Sequence, residues 1–205
     1  MPATRDRRRR AARLVRASLL CAIGVLAAVM PVEAQRAAPV AAPVQGGSRL
    51  WYEITAGGAG ARLTCDLCAP ARDVGAALTG AIGAYAGQHL RVGLELSRWT
   101  YRDQDVREHL HGVGVVAHLV PDPTRGLYLL GGAGWTGYRA GEYAYDAPRV
   151  TVGIGWELPA FGRWVVGNVI ALDAASFGAL RNGDITVLEH VGMSSVRAAV
   201  QLRRR

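Results

Sequence analysis

Between Arg149 and Leu158 every second residue is apolar: Val150, Val152, Ile154, Trp156 and Leu158 alternate with Arg149, Thr151, Gly153, Gly155 and Glu157. Successive side chains of a strand point to opposite faces, so this period predicts a strand with one wholly apolar face and one small or polar face. The pattern recurs along the chain. Leu50, Tyr52, Ile54 and Ala56 stand opposite Trp51, Glu53, Thr55 and Gly57; Leu78, Ile82 and Ala84 stand opposite Thr79, Ala81 and Gly83. Leu90, Val92, Leu94 and Leu96 oppose Arg91, Gly93, Glu95 and Ser97, and Val113, Val115, Ala117 and Leu119 oppose Gly112, Gly114, Val116 and His118. Residues 163 to 173 put Trp164, Val166, Ile170 and Leu172 on one side, and Val196, Ala198, Val200 and Leu202 alternate with Ser195, Arg197, Ala199, Gln201 and Arg203. With 126 to 138, Gly-rich and apolar on both faces so that its register stays open, the chain offers eight strands.

Turn chemistry separates these strands at alternating intervals. Short connections carrying Gly or Pro fall at Ala86 to Gln88, Pro121 to Arg125 and Pro159 to Gly162, and long ones at 63 to 73, 101 to 109, 139 to 148 and 174 to 190. Three tight turns at one end and four long loops at the other predict an all-β fold, an eight-stranded antiparallel up-and-down β-barrel. A soluble barrel of the lipocalin kind would have the same period with its apolar face inward. The other face favours a membrane: it holds Gly57, Gly83, Gly93, Gly112, Gly114, Gly153 and Gly155, and glycine is costly on a solvated strand but useful where side chains crowd a narrow lumen. The apolar face then meets lipid, and the barrel is transmembrane. Tyr85, Tyr128, Trp156 and Trp164 at one set of strand ends and Trp99, Tyr101, Trp135 and Tyr138 at the other are expected to form two interfacial girdles.

The formal charge of +8 suggests nucleic-acid binding until it is located. Residues 1–34 hold seven arginines against Asp6 and Glu33, and the rest of the chain has 17 arginines against 14 acids, an excess that Arg203, Arg204 and Arg205 supply alone. A basic nucleic-acid-binding face is therefore not expected. Residues 1–34 read instead as a cleaved signal peptide: a basic n-region, the apolar stretch Ala17 to Met30, and small residues at Val32-Glu33-Ala34. Leu20 before Cys21 argues against lipidation there. Residues 35–47, rich in Ala and Pro, read as a disordered linker, and 48–205 as the barrel. Export places Cys65 and Cys68 in an oxidising compartment, where a disulfide between them is expected.

The first strand running into Thr64-Cys65-Asp66-Leu67-Cys68, the segment Tyr128-Leu-Leu-Gly-Gly-Ala-Gly134 and the segment Val152-Gly-Ile-Gly-Trp156 resemble the small outer-membrane β-barrel proteins related to the OmpA transmembrane domain and OmpX. The resemblance implies a monomer in the bacterial outer membrane, both termini in the periplasm, and a structural or surface-interaction role through the outer loops. It implies outer-membrane lipid and lipopolysaccharide as surroundings, a possible extracellular ligand, and no cofactor. One departure stands at the C-terminus: the family ends its last strand in an aromatic residue, and this chain ends Leu202-Arg203-Arg204-Arg205.

The residues that carry chemistry are those the period sends inward. Glu53, Glu95 and Glu157 with Arg91, Arg149 and Arg197 put both signs into a space of low dielectric, so mutual pairing is expected, with a plug favoured over an ion path. His109, His111 and His190 near Cys65 and Cys68 make a zinc site conceivable, yet a local disulfide staple is the simpler expectation. A lipid A deacylase-like enzyme would need a Ser and a His within reach near lipid. The candidates are His89, His109, His111, His118 and His190 with Ser97, Ser176, Ser194 and Ser195. None forms the His-x-Ser pair associated with that family, so a non-enzymatic barrel is expected. The charged segment Tyr101 to His109 and the Tyr-rich segment Ala140 to Asp146 remain as surfaces for a partner.

Overall fold

The computed structural model describes residues 50–65, 68, 71–103 and 106–204; the signal segment 1–34 and the linker 35–47 lie outside the described residues. Eight strands, in sequence order, form one closed barrel: β1 (Leu50–Thr64), β2 (Asp73–Tyr85), β3 (Leu90–Asp103), β4 (Val106–Leu119), β5 (Leu127–Ala140), β6 (Tyr143–Pro159), β7 (Trp164–Asn182) and β8 (Ile185–Arg204). All neighbours are antiparallel, and β8 closes on β1 from Tyr52↔Arg204 to Thr64↔Gly192. Closure satisfies the backbone of every strand by its neighbours, the condition for crossing lipid with strands.

The two faces separate as the period requires. Ile54 (60% exposed), Leu94 (60%), Leu96 (65%) and Val150 (57%) point outward, whereas Trp51 (0%), Glu95 (4%) and Arg149 (6%) point inward. A soluble barrel would reverse this arrangement, since an apolar outer wall has no partner in water. The outward band is therefore the lipid-facing wall of a transmembrane barrel. Leu94→Arg is expected to cost about 2–4 kcal/mol as an arginine near the bilayer midplane, and Ile185→Arg, at a hairpin tip, close to nothing. Urea midpoints of the barrel in lipid vesicles check both.

The connections differ from the sequence reading at one end. Segments 101–109, 139–148 and 174–190, expected as long loops, are mostly strand: β3 runs to Asp103, Ala140 pairs with Tyr143, and Asn182 with Ile185. Two-residue turns close the last two hairpins, with Gly141 (φ +58°) and Gly183 (φ +56°) in the left-handed region that such turns need at their first position. Tyr145 and Ala147, both buried, simply extend the inward row of Arg149. Strands of 13 to 20 residues exceed what a bilayer demands, so the barrel stands out beyond it. After β1, Cys65 and Cys68 are joined by a disulfide, and the Cys68 amide donates to the Cys65 carbonyl (3.2 Å).

At the opposite end lie the start of β1, the end of β8 and the three shorter connections. In the one after β4, the Asp122 carboxylate accepts hydrogen bonds from Thr124 Oγ1 (2.5 Å) and Thr124 N (2.9 Å) and pairs with Arg125 (3.1 Å). The Thr124 hydroxyl, then its amide and Arg125, hold this carboxyl below its ordinary value of 3.8. A depressed acid stabilises the folded turn at neutral pH and loses that contribution as pH falls from 3.8 through the lowered value. The protection factor of the Thr124 amide, its exchange rate relative to an unstructured amide at the same pH, is expected to fall only in that acid range.

The girdles are also corrected. Trp135 (53% exposed) and Trp156 (50%) face outward, but Trp99 (4%) and Tyr128 (0%) are buried inside. Tyr101 stacks on Trp99 with ring centroids 6.1 Å apart, and the Tyr85 hydroxyl accepts from Arg203 (2.7 Å). Tyr85 shares its face with Thr79, and Trp99 and Tyr101 share theirs with Glu95, so the pleat turns them inward. Tyr52 (46%) is an outward aromatic that takes such a place; Tyr143 (44%) has the inward parity of Tyr145 and is exposed at the hairpin tip.

Candidate functional site

The inward rows fill the lumen in layers. Nearest the termini, Glu157 on β6 accepts from Arg91 Nη1 on β3 (2.7 Å), from Arg203 Nε on β8 (3.0 Å), and from Arg203 Nη2. Gln201 Nε2 donates to Glu53 (3.0 Å) and to Glu157 (3.2 Å), and the Tyr128 hydroxyl donates to Gln201 Oε1. Arg91 also lies over the Tyr128 ring at 5.3 Å. His118 sits between Tyr128 (centroids 4.8 Å) and Trp51 (5.2 Å), with Nδ1 3.9 Å from Glu53 and no hydrogen bond from either ring nitrogen among the described residues.

One layer further out, Glu95 on β3 accepts from Arg149 Nη2 (3.0 Å) and Arg197 Nη2 (3.3 Å). Arg149 Nη1 donates to Ser97 (2.9 Å) and stands 3.5 Å from Asp173, which accepts from Thr151 (2.6 Å) and Ser195 (2.9 Å). Arg197 Nη1 donates to Thr79 Oγ1 (2.6 Å). Each layer thus holds two carboxylates and two guanidiniums, formally neutral: the first from β1, β3, β6 and β8, the second from β3, β6, β7 and β8. Pairing of this kind roughly offsets its own desolvation rather than adding stability, but removing one member strands a buried charge.

Above the second layer the lumen turns apolar. Trp99, Leu110, Tyr145, Val191 and Met193 pack with Ala59, Ala61 and Ala147, and Trp99 Nε1 donates to the Ala59 carbonyl (2.8 Å). A cavity of about 20 Å³ between this cap and the charges, bounded by Thr79, Ser97, Trp99 and Asp173, is the size of one water. A cavity of about 190 Å³ opens at the outer mouth, between Arg62, Asp73, Trp99, Glu108, Tyr138 and Met193.

The six charges singled out in the sequence divide between the layers: Glu53, Arg91 and Glu157 in the first, Glu95, Arg149 and Arg197 in the second. Arg203 and Asp173 were missed as members. Arg203 has the parity of Arg197 and Asp173 that of buried Ala171, so the alternation itself carried the signal. Among the described residues no hydrogen bond joins a serine to a histidine candidate. Ser97 and Ser195 are tied to lumen charges, His118 is enclosed by aromatic rings, His89 Nδ1 lies 2.9 Å from the Val120 carbonyl oxygen, and His109 and His111 on β4 lie across the barrel from Ser176 on β7 and Ser194 on β8; His190 shares β8 with Ser194, whose Oγ makes no hydrogen bond among the described residues. Cys65 and Cys68 are bonded to each other, and among the described residues no group of three or more His, Cys, Asp or Glu could hold a metal ion.

No protein-family model and no curated protein sequence matches the chain. Solved structures do. Neisserial surface protein A superposes with a TM-score of 0.53 at 14% identity, over 77% of this chain and 97% of that one. Ail, the attachment invasion locus protein of Yersinia pestis, gives 0.48 at 12% identity, over 76% and 99%. The N-terminal β-barrel domain of Pseudomonas aeruginosa OprF gives 0.39 at 18% identity, over 75% and 96%. The chain has the fold of the small eight-stranded outer-membrane β-barrels, similar to the OmpA and OmpX type.

Proposed function

We propose that the protein is exported through a cleaved signal, resides as a monomer in the bacterial outer membrane with its termini in the periplasm, and works through its protruding outer end as a structural or surface-interaction protein. The observation that carries this reading is the crosslinked lumen: two neutral charge layers and an aromatic cap span it, with a cavity of about 20 Å³ between the second layer and the cap, whereas the larger cavity and the hairpins beyond the bilayer lie at the outer mouth. Shortening the β3–β4 and β5–β6 hairpins to the membrane border is expected to abolish attachment to a surface or partner while the barrel still assembles. Loss of assembly, or unchanged attachment, would count against it. The alternative of a small pore predicts discrete conductance in planar bilayers. The two charge layers argue for the absence of steps, and regular openings by the intact barrel would reverse that choice. The alternative of a lipid-modifying enzyme predicts altered lipid A acylation on expression, abolished by changing one Ser or His.

A further inference from the structure

The apolar outer wall ends abruptly on β3, β4 and β5. Its last rows are Leu96, Val113 and Trp135, with Leu96 paired to Val113 and Val113 to Trp135. The next outward row is Arg98–His111–Gly137, the one beyond is Thr100–His109–Arg139, and then Arg102 faces Arg107. Rows on one face are separated by about 7 Å and adjacent strands by about 4.8 Å. Four arginines and two histidines therefore share one small outward patch directly above lipid. Arg98, Arg102, Arg107 and His111 are exposed.

Among the described residues, opposing charge on this face is sparse. Asp146, on β6, is engaged by Arg139 through Nη1 (3.2 Å to Oδ1) and Nη2 (2.9 Å to Oδ2). Arg98 and Arg107 have no ion pair among the described residues. Burial, and then Arg98, Arg107 and His111, push the His109 imidazole below its ordinary value, as cations crowded onto one face do. The flanking strands add no cation to these rows: Leu78 pairs with Arg98 and Ala76 with Thr100 on one side, Asp146 with Gly137 and Ala144 with Arg139 on the other, so the cations are confined to β3–β5. Arg72, over β1, donates instead to the Gly60 and Ser194 carbonyls (3.3 and 3.0 Å). The chain has no lysine, so every cation in the patch that is not histidine carries the planar fork suited to phosphate.

We infer that the outward face of β3–β5 around Arg98 and Arg107 binds the phosphate groups of an acylated, phosphorylated sugar lipid of the outer leaflet, with its acyl chains along Leu96, Val113 and Trp135. The orientation rests on the outer-membrane reading above, which puts this end of the barrel in the outer leaflet. The chemistry rests on charge complementarity at a fixed height: phosphates attached to acyl chains must lie just above an apolar band, where these arginines are. A soluble polyanion has no need of that height or of the adjoining apolar rows.

The test is a titration of the folded full-length barrel, in detergent micelles, with fluorescent bisphosphorylated lipid A, its dephosphorylated form, and inositol hexakisphosphate as a soluble competitor. The double variant Arg98→Glu/Arg107→Glu is expected to weaken lipid A binding about tenfold or more, while Arg163→Glu, in the turn after β6, leaves it unchanged. Dephosphorylated lipid A is expected to bind weakly to the wild type. Equal binding by the double variant, equal binding of the dephosphorylated lipid, or displacement by inositol hexakisphosphate at matching concentration would each overturn the inference. Each sample is checked for a heat-dependent gel shift, which reports the barrel separately from the patch. If charge reversal prevents folding, Arg98→Gln/Arg107→Gln replaces it under the same criteria.

Discussion

Glu157→Ala is expected to lower the stability of the barrel by about 3–5 kcal/mol, measured as the urea midpoint of tryptophan fluorescence in lipid vesicles. Glu157 is the shared partner of Arg91 and Arg203, both almost fully buried, and it also accepts from Gln201. Truncation leaves two guanidiniums in a lumen where Glu53 is the remaining carboxylate of that layer. The loss is larger than the net worth of the ion pairs, because desolvation of the orphaned cations is no longer offset. Glu157→Gln keeps an acceptor and the side-chain volume, so it is expected to fall between. Combining Glu157→Ala with Arg203→Ala is expected to cost less than the sum of the single changes, since each change removes part of the other's penalty. A loss below about 1 kcal/mol for Glu157→Ala would mean that water reaches this layer and solvates it.

Trp51→Ala is expected to cost a similar amount, about 3–5 kcal/mol, for a different reason. The indole is fully buried and lies across the paired glycines Gly83 and Gly93: a Cβ at either would stand 2.7 Å from a Trp51 ring carbon. Two glycines side by side make a bare stretch of wall, and the indole covers it, donating through Nε1 to the Ala84 carbonyl (3.3 Å). Its other side meets His118. Removing it opens a void that glycine walls cannot refill without moving β2 against β3. Gly93→Val tests the same fit from the opposite wall, where the added side chain would also meet the Ile82 carbonyl at 2.5 Å from its Cβ. Both variants are expected to shift the urea midpoint downward, while Leu202→Ala on the lipid face shifts it less.

The faces of the strands were legible because a pleat has a rigid period of two, and one wall must meet lipid. That contrast fixes the inward side of Glu53, Arg91, Glu95, Arg149, Glu157 and Arg197 without any knowledge of register. It fades where the barrel leaves the bilayer. In Tyr101 to His109 and Tyr143 to Arg149 the outer face meets water while Tyr101, Tyr145 and Ala147 pack into the apolar cap, so the contrast of an apolar outside and a polar inside is lost, and the strands read as loops although the hydrogen-bond ladder continues. Tyr85, Trp99 and Tyr128 lie near strand ends yet face inward, because the pleat's parity and not the distance from a strand end sets the face. Pairing partners were beyond reach, because the stagger of a closed barrel decides which arginine meets which acid. Arg91 finds Glu157 across 66 residues, and Arg197 finds Glu95 across 102. Arg203, within the run Arg203-Arg204-Arg205, looked like a tail charge, yet it lies in β8 and is 2% exposed.

The most direct measurement is electrophoresis of the outer-membrane fraction with and without boiling. A closed barrel that keeps its ladder in detergent is expected to run at a different position unboiled and to move to its 21.8 kDa position, less any cleaved signal, once heated. Recovery of the protein in the soluble fraction, or a band that does not shift on boiling, would contradict a lipid-embedded barrel.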